Sequence, residues 1–365
     1  LFMPQTLDDN IYDPVDTKLV AKMHKAITVI QLKLEGQLIE RHPEWEMSKR
    51  DIFRMVDFDR GTVTIEGREY ELLDKNFPTV CREDPLSLTE AENELMSVLE
   101  NSFMHSERLN LHIRFLYSKG SMYKTINGNL LFHGCIPLDE NGQLQSVNIA
   151  GRLYSGKALL DKLDEIANKA YFMQAGEEKS YSADYMWYLW SGACSPLYGK
   201  DKMAFFERYF LNNKELQKEN YNAYYHFSEQ AEVCGRILEM FGLDPVRGHI
   251  INGHVPVKIK NGERPVKAEG RLFVIDGGIS KAYQKATGIA GYTLIYDSHS
   301  LNLAEHRPFI AGESEHTPEI HLVEKLDRRA NISDTDKGAE LLEQINDLRE
   351  LLNAYRSGEI KESGR

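Results

Sequence analysis

Long apolar runs are missing from this 365-residue chain. No stretch approaches the ~18–20 residues of a membrane helix, so no membrane span is expected. A basic excess is missing as well: 44 Lys plus Arg against 56 Asp plus Glu leave a formal charge of −12. Neither nucleic acid nor an anionic membrane surface attracts a protein with that overall field, so neither is an expected partner. Cysteine is scarce. Cys81, Cys135, Cys194 and Cys234 lie far apart with no C-x-x-C pair, which excludes a zinc knuckle or thioredoxin-type motif by spacing. So few thiols in so long a chain argue against a disulfide framework and for reduced cysteines in a cytoplasmic protein. Leu1 to Lys22 has neither the basic start nor the apolar core of a signal peptide, and no internal repeat or low-complexity tract is present. An initiating Met is absent too: the chain opens Leu1-Phe2, and the expectation is a trimmed chain or a piece of something longer.

What is there describes a globular protein. The hydrophobic share of 42% and charged share of 27% suffice for a packed core, and at roughly 100–200 residues per domain the length suggests two or three domains or one large one. The spacing of Leu19, Val20, Met23, Ala26, Ile27, Ile30 and Leu34 predicts an amphipathic helix over Thr17 to Ile39. From Gly61 to Leu72 the period changes to two around Glu66-Gly67, which reads as a hairpin or flap. Two overlapping capping boxes, Ser87-x-x-Glu90 and Thr89-x-x-Glu92, predict a second helix with Leu95, Val98, Leu99 and Phe103 as its buried stripe. Residues 1–120 are therefore expected to be mostly helical, an insert or cover.

After Gly120 short apolar strands alternate with helices. The strands expected are Asn129 to Phe132, His249 to Ile251, Arg271 to Ile275 and Tyr292 to Tyr296; the helices are Lys157 to Phe172, Met203 to Phe210 and Phe227 to Phe241, the last closed by Gly242. This is an α/β pattern, in which chemistry tends to sit on loops leaving strand ends. Near the C-terminus, Leu341, Ile345, Leu348, Leu352 and Tyr355 repeat at four and three within Asp334 to Tyr355. Such a helix suits pairing with another, that of a second subunit included, so a homo-oligomer is one expectation.

Two segments deliver histidine from a strand into a glycine turn: Leu130-Leu131-Phe132-His133-Gly134-Cys135 and Ile250-Ile251-Asn252-Gly253-His254-Val255-Pro256. A strand holds an imidazole rigidly, and glycine lets the backbone bend close to whatever the ring binds. Alone, each is more often a turn residue than a ligand. Together they are what a preorganised metal centre needs, since neutral imidazoles suit Mn, Fe and Zn ions. His249, at the start of its strand, reads as structural.

Arg247 to Lys285 carries eight basic residues, Arg247, Lys258, Lys260, Arg264, Lys267, Arg271, Lys281 and Lys285, against Glu263, Glu269 and Asp276. The strip is either a solvated loop or a phosphate-binding rim beside His254. Within it, Asp276-Gly277-Gly278 ends an apolar strand with backbone N–H groups able to face an anion. Two further motifs, Asp57-Phe58-Asp59-Arg60-Gly61 and Asp297-Ser298-His299, mimic phosphatase signatures out of context and read as surface polar residues.

The segments Gly128 to Pro137, Trp187-Tyr188-Leu189-Trp190-Ser191-Gly192, Tyr198-Gly199-Lys200 and Gly248 to Tyr296 resemble, in order and over essentially the whole chain, the class III (Firmicutes-type) fructose-1,6-bisphosphatases. More distantly, the His-Gly and Gly-His pair is similar to that of the calcineurin-like metallophosphoesterases. The resemblance implies an α/β fold with a metallophosphoesterase-type β-sandwich flanked by helices. It also implies hydrolysis of fructose 1,6-bisphosphate to fructose 6-phosphate and phosphate, a step of gluconeogenesis, at a dinuclear, manganese-type centre. His133 and His254 match the histidines that bind one of its two metals. Lys200, Arg208, Lys258, Asp276 and Gly277 are the expected sugar-phosphate contacts.

Of the motifs D-x-H, G-D-x-x-D-R-G and G-N-H-D/E, which carry the other ligands and the general acid in that superfamily, the last two do not occur in these residues and D-x-H occurs only out of order, as Asp297-Ser298-His299 after the Gly-His site. The expectation is thus the C-terminal portion of such an enzyme: insert 1–120, half of the α/β domain over 121–310, and a tail over 311–365 with an amphipathic helix at 334–356. The catalytic groups are expected upstream of Leu1, in a missing N-terminal segment that would be a partner. The alternative is a non-catalytic domain that binds a phosphorylated metabolite or a partner on the same scaffold.

Overall fold

The computed structural model describes residues 2–3, 16–278, 286–289, 291–307 and 317–361. In chain order the first elements are α1 (Thr17–Arg41), β1 (Val56–Asp57), β2 (Thr62–Ile65), β3 (Arg68–Glu71), α2 (Glu90–Met104) and α3 (Glu107–Lys119). Then come β4 (Tyr123–Ile126), β5 (Asn129–Phe132), β6 (Val147–Ile149), β7 (Arg152–Tyr154), α4 (Gly156–Phe172), α5 (Glu177–Ser191) and α6 (Phe205–Phe210). The remainder is α7 (Tyr224–Phe227), α8 (Ala231–Met240), β8 (His249–Asn252), β9 (Val266–Lys267), β10 (Leu272–Val274), β11 (Gly291–Tyr296), β12 (Ser300–His306), β13 (Glu319–Lys325) and α9 (Asp336–Ser357). No described helix is long and apolar enough to cross a membrane.

Two compact units interleave along the chain: Leu1–Ser121, Pro137–Asp139 and Leu144–Asn222 form one, and Met122–Ile136, Glu140–Gln143 and Ala223–Arg365 the other. Residues 144–222 thus fold with the N-terminal region rather than with the strands on either side of them in sequence.

In the first unit, α1 begins where the Asp16 carboxylate accepts from the N–H groups of Lys18 and Leu19. It runs through Gly36, where a Cβ would strike Leu86 at 2.7 Å and Asp51 at 2.8 Å. The expected stripe is only partly buried: Ile30 is inside, but Leu19, Met23 and Ile27 are exposed, and the buried face is made instead with Val29, Leu32, Lys33 and Ile39. The reason is polar. Lys33 turns inward to the Glu92 carboxylate at 2.8 Å and the Thr79 carbonyl at 2.7 Å, so a cation occupies a position that apolar periodicity would not select.

The hairpin is β2–β3, closed by Glu66 and Gly67 at φ 49° and 76°. Two successive positive φ values make the two-residue turn whose twist matches the flanking strands. Helix α2 takes the second of the two capping boxes: Thr89 accepts from the Glu92 N–H and Glu92 from the Thr89 N–H. Its apolar stripe, however, is not buried. Leu95, Val98 and Phe103 are exposed, and Glu92 is the one buried residue of the helix. By contrast α4 and α5 pack on each other, with Leu159, Leu160, Leu163, Tyr185 and Leu189 inside. The helix expected from Met203 begins at Phe205.

The second unit is built on a five-stranded sheet of order β4-β5-β8-β10-β9. Its centre, β5-β8-β10, is parallel, and β4 and β9 are antiparallel edges. Parallel central strands are apolar on both faces, and Leu130, Ile250, Leu272 and Phe273 are all buried. A second, antiparallel sheet β11-β12-β13 packs on it through the cluster Ile251, Phe273 and Leu301. The fold is therefore mixed α/β. The helix expected over Phe227 to Phe241 is α8, Ala231–Met240, and Phe227 is the last residue of the short α7 before it. They meet in a tight turn where the Gln230 N–H bonds to the Phe227 carbonyl, and Gly242 ends the second at φ 74°. Helix α9 starts at Asp336, tied to Asn127 by reciprocal bonds of 2.8 and 3.0 Å. Its five repeat residues, Leu341 to Tyr355, are exposed.

Candidate metal centre

β5 and β8 are parallel neighbours in register Asn129↔His249 to Leu131↔Ile251. Parallel pairing puts their C-terminal ends side by side, so the loops leaving them must meet. His133 is the first residue beyond β5 and His254 the second beyond β8. Their ring nitrogens, Nε2 of His133 and Nδ1 of His254, are 3.0 Å apart, with ring planes at 69°. The loops are joined by the backbone, the Gly253 N–H donating to the His133 carbonyl at 2.9 Å. His254 adopts φ 67°. A non-glycine residue in the left-handed region is held there by its surroundings, a form of strain concentrated at functional sites.

Partial burial of the His133 ring lowers its pKa below the ordinary 6.5, against the pull of the Asp276 carboxylate. At neutral pH His133 is thus a neutral imidazole with a lone pair to offer. Asp276 stands at the exit of β10, next to β8 in the sheet. Its Cβ is 3.6 Å from where a Cβ on Gly253 would lie, its carbonyl accepts from the Val257 N–H, and its carboxylate accepts from the Gly278 N–H at 2.7 Å. That last bond corrects the expectation of Gly278 as a free anion donor. Gly277 is buried, and a Cβ there would sit 2.5 Å from Gly291, so glycine is required by close packing. Lys258 is exposed, and its backbone N–H is bound to the Glu263 carboxylate.

Lys200 and Arg208 belong to the other compact unit. Both bind one carboxylate that sequence reasoning did not single out: Glu219 meets Lys200 Nζ at 2.8 Å and Arg208 Nη2 at 3.2 Å. Burial would raise the Glu219 pKa, but these two cations and the Ala204 N–H bring it below the ordinary value. The ammonium of Lys200 also lies over the rings of Tyr198 and Tyr221. Of the basic strip, Lys281 and Lys285 lie outside the described residues, and Lys267 pairs with Glu229 at 2.6 Å.

The two mimic motifs are structural. Asp57 accepts from the N–H groups of Asp59 and Arg60, and Asp297 from those of His299 and Ser300. His249 is buried, with one ring nitrogen 3.1 Å from the Asn129 amide oxygen and the other 2.8 Å from Glu324.

Two imidazole nitrogens on a shared ion at ~2.1 Å, one right angle apart, would stand ~3.0 Å from each other, the spacing seen. The pair thus fits two adjacent positions of a coordination shell. It does not complete one: among the described residues no group of three or more His, Cys, Asp or Glu is placed to hold a metal ion. A hard divalent cation needs oxygen donors and charge neutralisation that two neutral rings do not give.

The family model described as Firmicute fructose-1,6-bisphosphatase matches residues 1–357. A class 3 fructose-1,6-bisphosphatase of Clostridium botulinum is 50% identical over 368 residues, covering 99% of this chain and 56% of the relative. Namesakes from Clostridioides difficile and Clostridium tetani are 49% and 50% identical, each over 99% of this chain and 56% of their own length. The chain therefore spans little more than half the length of these relatives. No solved structure matches. With a family model running through both compact units and the two strand-end histidines, the chain belongs to the Firmicute fructose-1,6-bisphosphatase family.

Proposed function

We propose that this chain supplies the two-histidine side of a divalent, manganese-type metal centre that hydrolyses fructose 1,6-bisphosphate to fructose 6-phosphate and phosphate, a gluconeogenic step. The observation that carries the reading is the convergence of His133 Nε2 and His254 Nδ1 to 3.0 Å at the ends of adjacent parallel strands. When bound, a metal centre of this kind withdraws charge from a phosphoryl group and activates water at neutral pH. The chain's own contribution is to hold two imidazoles rigidly, each at a strand end, with that of His133 kept unprotonated by desolvation. Asp276 and Lys258 share their compact unit and are the residues of the expected set retained here for the sugar phosphate. Gly277 is retained with them for its backbone, whereas Lys200 and Arg208, in the other compact unit and bound to Glu219, are not assigned to the site. The remaining metal ligands come from outside the described residues.

Phosphate release from fructose 1,6-bisphosphate with Mn²⁺ tests this, measured for the chain alone and for the chain supplemented with the non-overlapping part of a full-length relative. Turnover is expected only in the supplemented sample and is abolished by His254→Ala. Equal turnover by the chain alone overturns the division of ligands. Release from a phosphopeptide but not from the sugar bisphosphate overturns the substrate. The incomplete donor set also favours a second reading, a phosphometabolite-binding domain without catalysis. That reading predicts binding of fructose 1,6-bisphosphate and no phosphate release in either sample.

A further inference from the structure

Asn252 ends β8, two residues before His254, and is buried. Its side-chain nitrogen donates to the Gly134 carbonyl at 3.2 Å and to the Tyr224 hydroxyl at 2.9 Å. Gly134 directly follows His133. Tyr224 on α7 is wholly buried, and its ring stands edge-on to Phe132, the residue before His133, at 5.9 Å between centroids. Asn252 thus reaches from the strand that carries His254 to the far side of His133, and leans on a residue that packs against the near side. Its amide oxygen has no hydrogen-bond partner among the described residues. A buried acceptor left unmatched destabilises a fold, and an apolar residue of similar size would fill the space without that cost. What an apolar residue lacks is the pair of N–H donors.

We infer that Asn252 is a positioning residue: its amide clamps the His133 loop to the His254 loop and sets the separation of the two imidazoles. His254 needs such a clamp. Its left-handed backbone persists only where neighbouring bonds over-determine it. Asn252 fixes the chain on one side of it, and the Val257 N–H, bound to the Asp276 carbonyl at 2.8 Å, fixes it on the other. The inference concerns the geometry of the pair and extends the reading of that pair as a metal-holding site.

The test compares Asn252→Ala with Asn129→Ala in the full chain. Asn129 is also a buried asparagine of the same strand pair, but at its opposite end, bonded to the carbonyls of Ile126 and Asn127 and to His249. Both substitutions should lower the unfolding midpoint. With ¹⁵N-labelled histidine and no metal, the imidazole signals of His133 and His254 should shift, and the coupling across their hydrogen bond should vanish, in Asn252→Ala alone. Mn²⁺ affinity of the supplemented protein should fall about 10–100-fold for Asn252→Ala and stay within twofold for Asn129→Ala. If Asn252→Ala does not fold, Tyr224→Phe keeps the ring packing, removes one acceptor and should still shift both histidines. Unchanged imidazole signals in the folded Asn252 variant, or equal disturbance by Asn129→Ala, overturn the inference. A disturbed pair with unchanged Mn²⁺ affinity leaves the clamp standing and removes the metal reading.

Discussion

Helix α1 and helix α9 invert one another. The inward face of α1 carries a lysine, with Glu35 half-buried two residues along. The outward face of α9 carries Leu341, Leu342, Ile345, Leu348, Leu351, Leu352 and Tyr355, all exposed. Both helices have apolar periodicity, and in each it overstates what is buried: Ile30 is the one buried residue of the α1 stripe, and the α9 stripe is exposed. In α1 the tertiary structure satisfies charged groups inside, Lys33 against Glu92 and Thr79. In α9 the sequence is rich in strong helix formers, and i,i+3 pairing such as Lys337 with Glu340 at 2.7 Å supports it. A helix can therefore form there without cover. Periodicity states which side chains would gain from burial; whether a partner exists is a separate, non-local fact.

The largest effect that would sharpen this contrast is at Lys33. Truncation to Ala leaves Glu92 buried beside a missing cation, and breaking such a pair costs about 3–5 kcal/mol, read from the denaturant midpoint. The Glu92 pKa lies below its ordinary 4.5 because Lys33 and the Thr89 N–H outweigh burial. A depressed folded pKa contributes stability that is present above 4.5 and lost as pH falls through the lower folded value. The difference between Lys33→Ala and the unmodified chain should therefore narrow below pH 4.5. A cost under about 1 kcal/mol, as for an exposed pair, would break the contrast.

Next comes Leu130, fully buried in β5. Leu130→Ala should cost about 2–5 kcal/mol by lost transfer energy and the cavity it leaves. Val98→Ala in α2, 60% exposed, should stay within about 0.5 kcal/mol. Glu35 gives a smaller effect of opposite sign. Burial raises its pKa above 4.5, with Gln31 and Arg50 pulling the other way. A raised folded pKa contributes stability that is complete below 4.5 and lost as pH rises through the folded value. Glu35→Gln should accordingly stabilise the chain at pH 7 and give no gain at pH 4, in paired thermal melts.

The strands around the site were legible because parallel central strands are uniformly apolar, and Asn129–Phe132 falls where the sequence puts it. The histidines were legible because each follows such a strand and precedes or follows a glycine. What brings the two together is the adjacency of β5 and β8, separated by more than a hundred residues, and no local pattern encodes it. Asn252 and Tyr224 were missed for the same reason: a buried asparagine looks like any strand-end polar residue until its partners are placed. Glu219 was missed because a carboxylate next to Lys218 in a charged stretch reads as surface charge, although Lys200 and Arg208 both converge on it. The Thr89 capping box was a local signal and held, while the stripe that follows it needed a neighbour to be buried, and Leu95, Val98 and Phe103 are exposed.

The smallest expected effect separates two meanings of an exposed apolar face. Ile345→Glu on α9 removes an apolar side chain that is 43% exposed. At micromolar protein the change in stability should stay within about 0.5 kcal/mol, since little surface is uncovered by it. If α9 is an inert solvent-facing helix, that result holds at every concentration. If a second copy covers it, the unmodified chain gains stability with concentration by mass action, and Ile345→Glu abolishes the gain while leaving the dilute value alone. Melting temperatures of both proteins across a hundredfold range of concentration distinguish the cases. A loss well above 0.5 kcal/mol at the lowest concentration would mean that the face is covered within the chain itself, and the inversion between α1 and α9 would fall.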